Sequence, residues 1–292
     1  MSEVRIGVIG GSGLYAMAGF EEAEERRVDT PFGAPADAFV VGELEGRRIA
    51  FLARHGRGHR LLPSEINHRA NLWAFKSLGV ETLISVSAVG SMKLDYRPTD
   101  VVLPDQFIDW TRRRETFFGD GLVAHVSMAE PVCPDLRTRL AAACRAAGAR
   151  LHDGGVYLCM EGPQFSSRAE SELYRRWGVD VIGMTNAPEA KLAREAEICY
   201  ATLAMVTDYD CWHDEEEAVS VEAVLAALRA NAAMAQEVVR GVVQALPDAP
   251  RCGCRRALAS ALITDPARVP PATRQRLALL VGKYLGDPVG EP

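Results

Sequence analysis

Six short stretches of this 292-residue chain combine residue types able to hold an anion and help a leaving group depart. Gly10-Gly11-Ser12-Gly13 allows a tight turn whose N–H groups face an anion, with the Ser12 hydroxyl beside them. Read as Gly11-x-Gly13-x-x-Ala16, it approaches a dinucleotide fingerprint. That reading needs a following helix and an acidic residue ending a second strand. Here Met17 to Phe20 leads instead into a charge run and the loop Thr30-Pro31-Phe32-Gly33, which favours an anion loop or a plain turn. Arg54-His55-Gly56-Arg57-Gly58-His59 could grip a phosphate-sized anion bidentately, or form a solvated basic loop or a salt bridge. Ser85-Val86-Ser87-Ala88-Val89-Gly90-Ser91 supplies small hydroxyl residues that let a ligand approach the backbone. In Glu161-Gly162-Pro163-Gln164-Phe165-Ser166-Ser167, Phe165 is either core or a stacking platform for a sugar or base. Met184-Thr185-Asn186 adds another hydroxyl. Thr207-Asp208-Tyr209-Asp210-Cys211-Trp212 places two carboxylates at i and i+2, as in a turn or as a general acid with its hydrogen-bond partner.

Each stretch follows an apolar run, and ligands in α/β folds collect at the carboxyl ends of strands. Strands are expected at Val4–Ile9, Thr82–Ser87, Asp100–Leu103, Gly155–Met160, Val179–Met184 and Tyr200–Thr207, with a hairpin over Ala38–Val41 and Arg48–Ala53. Helices are expected from Pro63 to Leu78, from Asp135 to Ala147, and after the capping box Ser167-x-x-Glu170. Pro188 suits a helical first turn. A long helix follows Ser220, with Val221, Val224, Leu225, Leu228, Ala232, Ala235, Val238, Val239 and Val242 at helical spacing. The alternation predicts an α/β fold with a mostly parallel central sheet, in a single domain over 1–292. Its core covers about 4–245, and 246–292 forms a helical C-terminal extension.

The chain is 48% hydrophobic and 25% charged, which excludes a disordered chain or a collagen. Its net charge of −6 argues against a nucleic-acid partner, which needs a basic footprint. No apolar run reaches membrane-span length and no signal-peptide layout opens the chain, so a cytoplasmic protein is expected. The seven cysteines read as buried, reduced thiols. Cys252-Gly253-Cys254 is the one close pair. With no second pair at zinc spacing, no metal site is expected.

Taken together, the chain resembles the 5′-methylthioadenosine phosphorylase branch of the purine nucleoside phosphorylases. The carrying text is Val8–Leu14, Arg54–Arg57, Asn71-Leu72-Trp73-Ala74, Glu161–Ser171, Met184-Thr185, Pro188-Glu189 and Thr207–Trp212, collinear over about residues 4–245; residues 246–292 fall outside the match. The resemblance implies a mixed central sheet surrounded by helices, in a homotrimer without metal or organic cofactor. The implied reaction joins phosphate and 5′-methylthioadenosine to give adenine and 5-methylthioribose 1-phosphate, a step of purine and methionine salvage with inorganic phosphate as co-substrate. By motif position, Ser12, Arg54, His55, Ser87, Ala88 and Thr185 fall at the phosphate. Phe165 and Met184 fall against the ribose, and Ser166, Asp208 and Asp210 at the base. Val221, Val224 and Leu225 line the 5′ pocket, which His125 closes from a neighbouring subunit. Ser12 and Ser87 stand where the branch commonly has threonine, and each keeps the hydroxyl.

The chemistry suits the residues. Phosphate is already an anion and needs only to be held under the sugar. The departing base gathers negative charge, which a protonated Asp208 could neutralise at N7, its acidity weakened by the apolar strand and by Asp210. Two carboxyls suit a 6-amino group better than a 6-oxo group. The competing readings are a phosphorylase of 6-oxopurine nucleosides such as methylthioinosine or inosine, a dinucleotide-dependent oxidoreductase built on the Gly10–Gly13 turn, and a non-catalytic nucleotide-binding subunit.

Overall fold

A single strand organises the site. β5 (Thr82–Ser91) pairs in parallel with β1 (Ile6–Gly10) on one side and with β11 (Cys199–Asp208) on the other, and its last residues pair antiparallel with β10 (Val181–Gly183). The sheet therefore divides at the carboxyl end of β5. A computed structural model describes residues 4–286 apart from 12, 13, 15, 16, 18, 214–220 and 249–251, and the side chains of 22, 221–226 and 228 also lie outside it. Among the described residues eleven strands share one sheet. Beyond β1 it continues through β4 (Arg47–Ala53), β3 (Phe39–Leu44) and the edge strand β2 (Phe20–Arg26). Beyond β10 it continues through β9 (Val156–Met160) and β7 (Gln106–Trp110). β11 carries β6 (Val101–Leu103), which pairs with β8 (Leu151–Asp153).

Period-two alternation sends successive side chains to opposite faces. Ile6, Val8, Ile84, Val86, Leu203 and Met205 pack against α2 (Pro134–Ala146) and α5 (Val221–Ala245). Ile9, Leu83 and Tyr200 face the other way, toward α1 (His68–Ser77) and α4 (Asn186–Glu195). The C-terminal extension joins this second face: Leu258, Ala261, Leu277, Leu280 and Val281 are buried in the same cluster as Trp73 and Phe75. The extension consists of short helical turns, α6 (Pro271–Arg276) and α7 (Ala278–Leu285).

The expected elements are present with shifted ends. The helix expected from Pro63 begins at His68, because Asn67 accepts the Ala70 N–H and caps it there, leaving Pro63–Glu65 as a separate single turn. The Ser167/Glu170 capping box forms and opens α3 (Arg168–Arg176). β5 does not stop before Gly90 but runs to Ser91, since Gly90 lies in register with both Ile182 and Asp208. β2, β7 and β8 are additional to the expected set. The sheet is mixed, with antiparallel pairing at β2–β3, β3–β4, β6–β11 and β5–β10.

Candidate active site

The floor of the site is a buried polar network. Arg54 follows β4, and its N–H donates to Gly10 O at 2.9 Å, which joins the ends of β4 and β1. Its guanidinium is 3% exposed and points inward. Nε donates to Glu189 Oε1 at 2.5 Å, Nη1 to Val86 O at 2.8 Å, and Nη2 to Ser85 Oγ at 2.6 Å and Glu189 Oε2 at 3.2 Å. Burial opposes the charge on Glu189, yet Arg54 holds its carboxyl below the usual carboxylate range. The bidentate grip expected of Arg54 on an anion is thus spent on Glu189. Its exposed neighbour Arg57 pairs with Glu25 and Asp37, as a salt-bridged surface loop would.

Asn186 extends the network. Its Nδ2 donates toward Ser85 Oγ at 3.0 Å, Tyr200 Oη at 3.1 Å and Thr202 Oγ1 at 2.8 Å, and its Oδ1 accepts from Tyr157 Oη and Thr185 Oγ1, both at 3.1 Å. Thr185 occupies the N-cap position of α4 without capping it through its side chain. Ser87 is buried and lies 3.4 Å from Tyr157 Oη, while its neighbour Ala88 is exposed. Ser87 and Thr185 therefore meet through Tyr157 and Asn186, above the Arg54–Glu189 pair.

His55 is half-buried. Its Nδ1 lies 2.9 Å from Leu61 O and its ring stacks on His59 at 4.3 Å. Donation to that carbonyl fixes the proton on Nδ1 and leaves Nε2 as an acceptor. Burial pushes its pKa down to about 4. Ser12 lies outside the described residues, as does the turn residue Gly13.

The end at Asp208 and Asp210 is built differently. Asp208 closes β11 opposite Gly90, where an added Cβ would stand 3.0 Å from Asp208 Oδ1. Asp208 Oδ2 accepts from Thr207 Oγ1 at 2.6 Å, and Oδ1 from the Asp210 N–H at 2.9 Å. Asp210 adopts a left-handed backbone, with φ of 51°. Its Oδ2 is buried and finds no hydrogen-bond partner among the described residues. Burial raises the Asp210 carboxyl above its ordinary range, the hydroxyls of Ser171 and Ser166 pull it back, and the charge of Asp208 adds to the rise. Weakened acidity thus appears at Asp210.

The loop after β9 faces this pair. Ser166 O accepts from Cys211 Sγ at 3.2 Å, which ties the loop to the Asp210–Trp212 turn. Phe165 is 78% exposed, so it is no core residue. Met184 is half-buried against Gly162, whose φ of 67° and proximity to Met184 Sδ leave no room for a side chain. Arg113 ties the start of this loop to the end of β10: Nη2 donates to Glu161 O at 3.2 Å and Met184 O at 2.9 Å, and Nη1 to Pro63 O at 2.9 Å.

Val221, Val224 and Leu225 fall in the first turns of α5, with side chains outside the described residues. His125 is exposed, and its N–H donates to Ala261 O at 2.8 Å, so the extension backs its segment. Sequence reading had not singled out Arg113, Glu189, Asn186, Tyr157 or Tyr200 as site residues. A signal existed for Glu189, an acid on the same helical face as Ala193 and Ala196, where a charge is buried only when paired.

Residues 5–244 match the family model of the phosphorylase superfamily. S-methyl-5′-thioadenosine phosphorylase of Koribacter versatilis is 57% identical over 98% of both chains. That match takes in the C-terminal extension, which sequence reading had set outside the family. A crystal structure of methylthioadenosine phosphorylase from an Antarctic soil metagenomic library superposes with a TM-score of 0.92 at 50% identity, covering 95% of this chain and 99% of that one. A mutant of adenosine/methylthioadenosine phosphorylase from Schistosoma mansoni, solved with methylthioadenosine, superposes with a TM-score of 0.81 at 36% identity over 88% of this chain and 96% of that one.

Proposed function

The chain belongs to the phosphorylase superfamily, and from that premise we propose that it is an S-methyl-5′-thioadenosine phosphorylase, a pentosyltransferase. It cleaves 5′-methylthioadenosine with inorganic phosphate to adenine and 5-methylthioribose 1-phosphate. The observation that carries the reading is the Asp208–Asp210 pair at the end of β11, with a buried Asp210 oxygen that no described protein group engages.

Phosphate sits among Ser12, His55, Ser87, Ala88 and Thr185, over the Arg54–Glu189 pair. Arg54 acts mainly by holding the ends of β1, β4 and β5 in place. His55 Nε2, as an acceptor, suits the remaining proton of hydrogen phosphate. The α4 N-terminus at Thr185 adds its favourable dipole. Phe165 and Met184 lie along the ribose, and Ser166, Asp208 and Asp210 meet the base. As the glycosidic bond breaks, electrons pass to the purine. A proton held on the carboxyl pair, where burial raises the Asp210 carboxyl above its ordinary range, neutralises the charge at N7. The other carboxylate accepts from the 6-amino group. Val221, Val224 and Leu225 receive the methylthio group.

The chain works as one catalytic domain with its extension, without a metal or organic cofactor in the chemistry. We place it in the cytoplasm as a homotrimer in which His125 closes a neighbour's 5′ pocket. No described helix is long and apolar enough to cross a membrane. The test is adenine release from methylthioadenosine and adenosine, with and without phosphate, alongside base release from methylthioinosine. Phosphate-dependent release and a preference for methylthioadenosine are expected. Release without phosphate, or a preference for methylthioinosine, overturns the assignment. Sedimentation tests the trimer: a fully active monomer sinks the shared pocket.

A further inference from the structure

Four of the seven cysteines, scattered over more than a hundred residues of sequence, come together at the end of the sheet away from the carboxyl pair. The Sγ atoms of Cys133, Cys199, Cys252 and Cys254 all lie within 4.8 Å of one another. Cys199 Sγ is 3.1 Å from Cys252 Sγ, which is 3.6 Å from Cys133 Sγ. All four are free thiols, and only Cys252 is less than fully buried. Sequence reading missed the group because only 252 and 254 are neighbours in the chain.

Backbone bonds hold the group in place. Cys133 is the N-cap of α2, a position that favours a thiolate, and its N–H donates to Tyr200 O at 2.8 Å, beside Cys199. The Cys199 N–H donates to Glu81 O at 2.9 Å, and Glu81 pairs with Arg255 at 2.7 Å, next to Cys254. Arg194 Nη1 points at Cys254 Sγ from 3.9 Å, a charged donor of the sort that surrounds metal thiolates. A narrow cleft is lined by Thr82, Asp135 and Arg139 together with Cys133, Cys199 and Cys252.

We propose that Cys133, Cys199, Cys252 and Cys254 form a structural tetrathiolate site for zinc. Tetrahedral zinc with Zn–S bonds of about 2.3 Å requires sulfurs roughly 3.8 Å apart, inside the spread observed. Four thiols with no carboxylate, imidazole or water position among them suit a closed, non-catalytic site. Binding releases the thiol protons to solvent and leaves a dianionic ZnS4 unit facing Arg194. The site ties together α2, the start of β11 and the crossing where the chain leaves α5 for the opposite face of the sheet. Its role is to lock the extension in place.

The test is zinc content of the full-length protein, prepared with zinc and freed of loose metal by gel filtration. About one zinc per chain is expected, retained in Cys144→Ser and lost in the double variant C252S/C254S. Cobalt exchanged into the site should give thiolate-to-cobalt charge-transfer bands. Cys133→His keeps a ligand and should keep the metal with a shifted cobalt spectrum, which serves if the double variant does not fold. Chelation should release the metal, lower the melting temperature and leave seven free thiols in the unfolded chain. A metal-free chain with its thiols reduced, two disulfides among these four cysteines, or zinc unaffected by C252S/C254S would each overturn the proposal.

Discussion

The two ends of the candidate active site are built on opposite terms. Beneath the proposed phosphate position, Arg54, Glu189, Ser85, Asn186, Tyr157 and Tyr200 bond to one another in the interior, and most of their donors are already engaged. At the base end, Asp210 keeps a buried oxygen without a partner among the described residues, and Phe165 stands in solvent. The first region is finished before any ligand arrives, and the second is completed by one. Preorganisation under the anion removes the cost of ordering its surroundings at the moment of reaction. The unpaired carboxyl at the other end makes selectivity depend on what the base offers.

The comparison is broken most forcefully at Glu189. Glu189→Ala leaves Arg54 charged and buried alone, and should cost about 3–5 kcal/mol of folding stability. Denaturant unfolding measures it. Adding Arg54→Ala should cost much less than the sum of the two, since they act as one unit. Additive losses would mean that Arg54 has a separate job, such as direct contact with phosphate. At the other end, Asp210→Ala should lower turnover by about 10²- to 10⁴-fold while leaving the unfolding midpoint nearly unchanged. Asp208→Asn should also slow turnover and shift relative efficiency from methylthioadenosine toward methylthioinosine, which steady-state kinetics on both nucleosides would reveal.

A methyl group added at Gly183 probes the seam between the two regions. Its Cβ would stand 1.9 Å from Tyr157 Oη, the hydroxyl that joins Asn186 to Ser87. Gly183→Ala should cost about 1–3 kcal/mol and raise the KM for phosphate more than that for nucleoside.

Acid probes the finished end more gently. Burial pushes His55 down to about 4 and His68 down to about 3. Unfolded, both take a proton near 6.5, so the unfolded chain binds more protons between 6.5 and about 4, and stability falls as the pH drops through that window. Glu195, raised to about 7 by burial, acts in the opposite sense, its contribution declining as pH rises from 4.5 to 7. Melting temperature against pH should therefore show an acid limb that His68→Gln flattens. The smallest effect belongs to Phe165→Ala. It should leave stability within about 0.5 kcal/mol of the parent while raising the KM for nucleoside.

What was legible in the sequence follows from how far each signal reaches. Gly10, Ser87, Thr185 and Asp208 announce themselves because each ends an apolar run and the fold gathers such ends. The capping box at Ser167 and Glu170 is local and forms as read. β2 was hidden because Phe20–Arg26 is mostly charged, as suits an edge strand exposed to water, and reads as a solvated run. The Arg54–Glu189 pair was illegible because its members stand 135 residues apart, and no pattern around Arg54 says which acid it meets. Asp208 and Asp210, marked together by their i, i+2 spacing, share one hydrogen-bonded turn. The spacing does not show which carboxyl keeps a buried, unpartnered oxygen, because that depends on the left-handed backbone that Asp210 adopts.

The extension has a consequence for the order in which the molecule is made. Leu258, Leu277, Leu280 and Val281 fill the same buried cluster as Leu72, Trp73 and Phe75, and Tyr284 and Lys283 both reach Glu197. A ribosome delivers these partners after every strand of the sheet. The face of the sheet that carries α1 and α4 therefore stays open until Leu258 to Val281 have emerged, while the opposite face, closed by α2 and α5, can bury its apolar surface earlier. Synthesis passes through a half-clothed intermediate with exposed apolar surface, the state most exposed to aggregation and to chaperone capture. A nonsense codon after α5 would leave the chain in that state, with every residue placed here at phosphate, ribose and base already made.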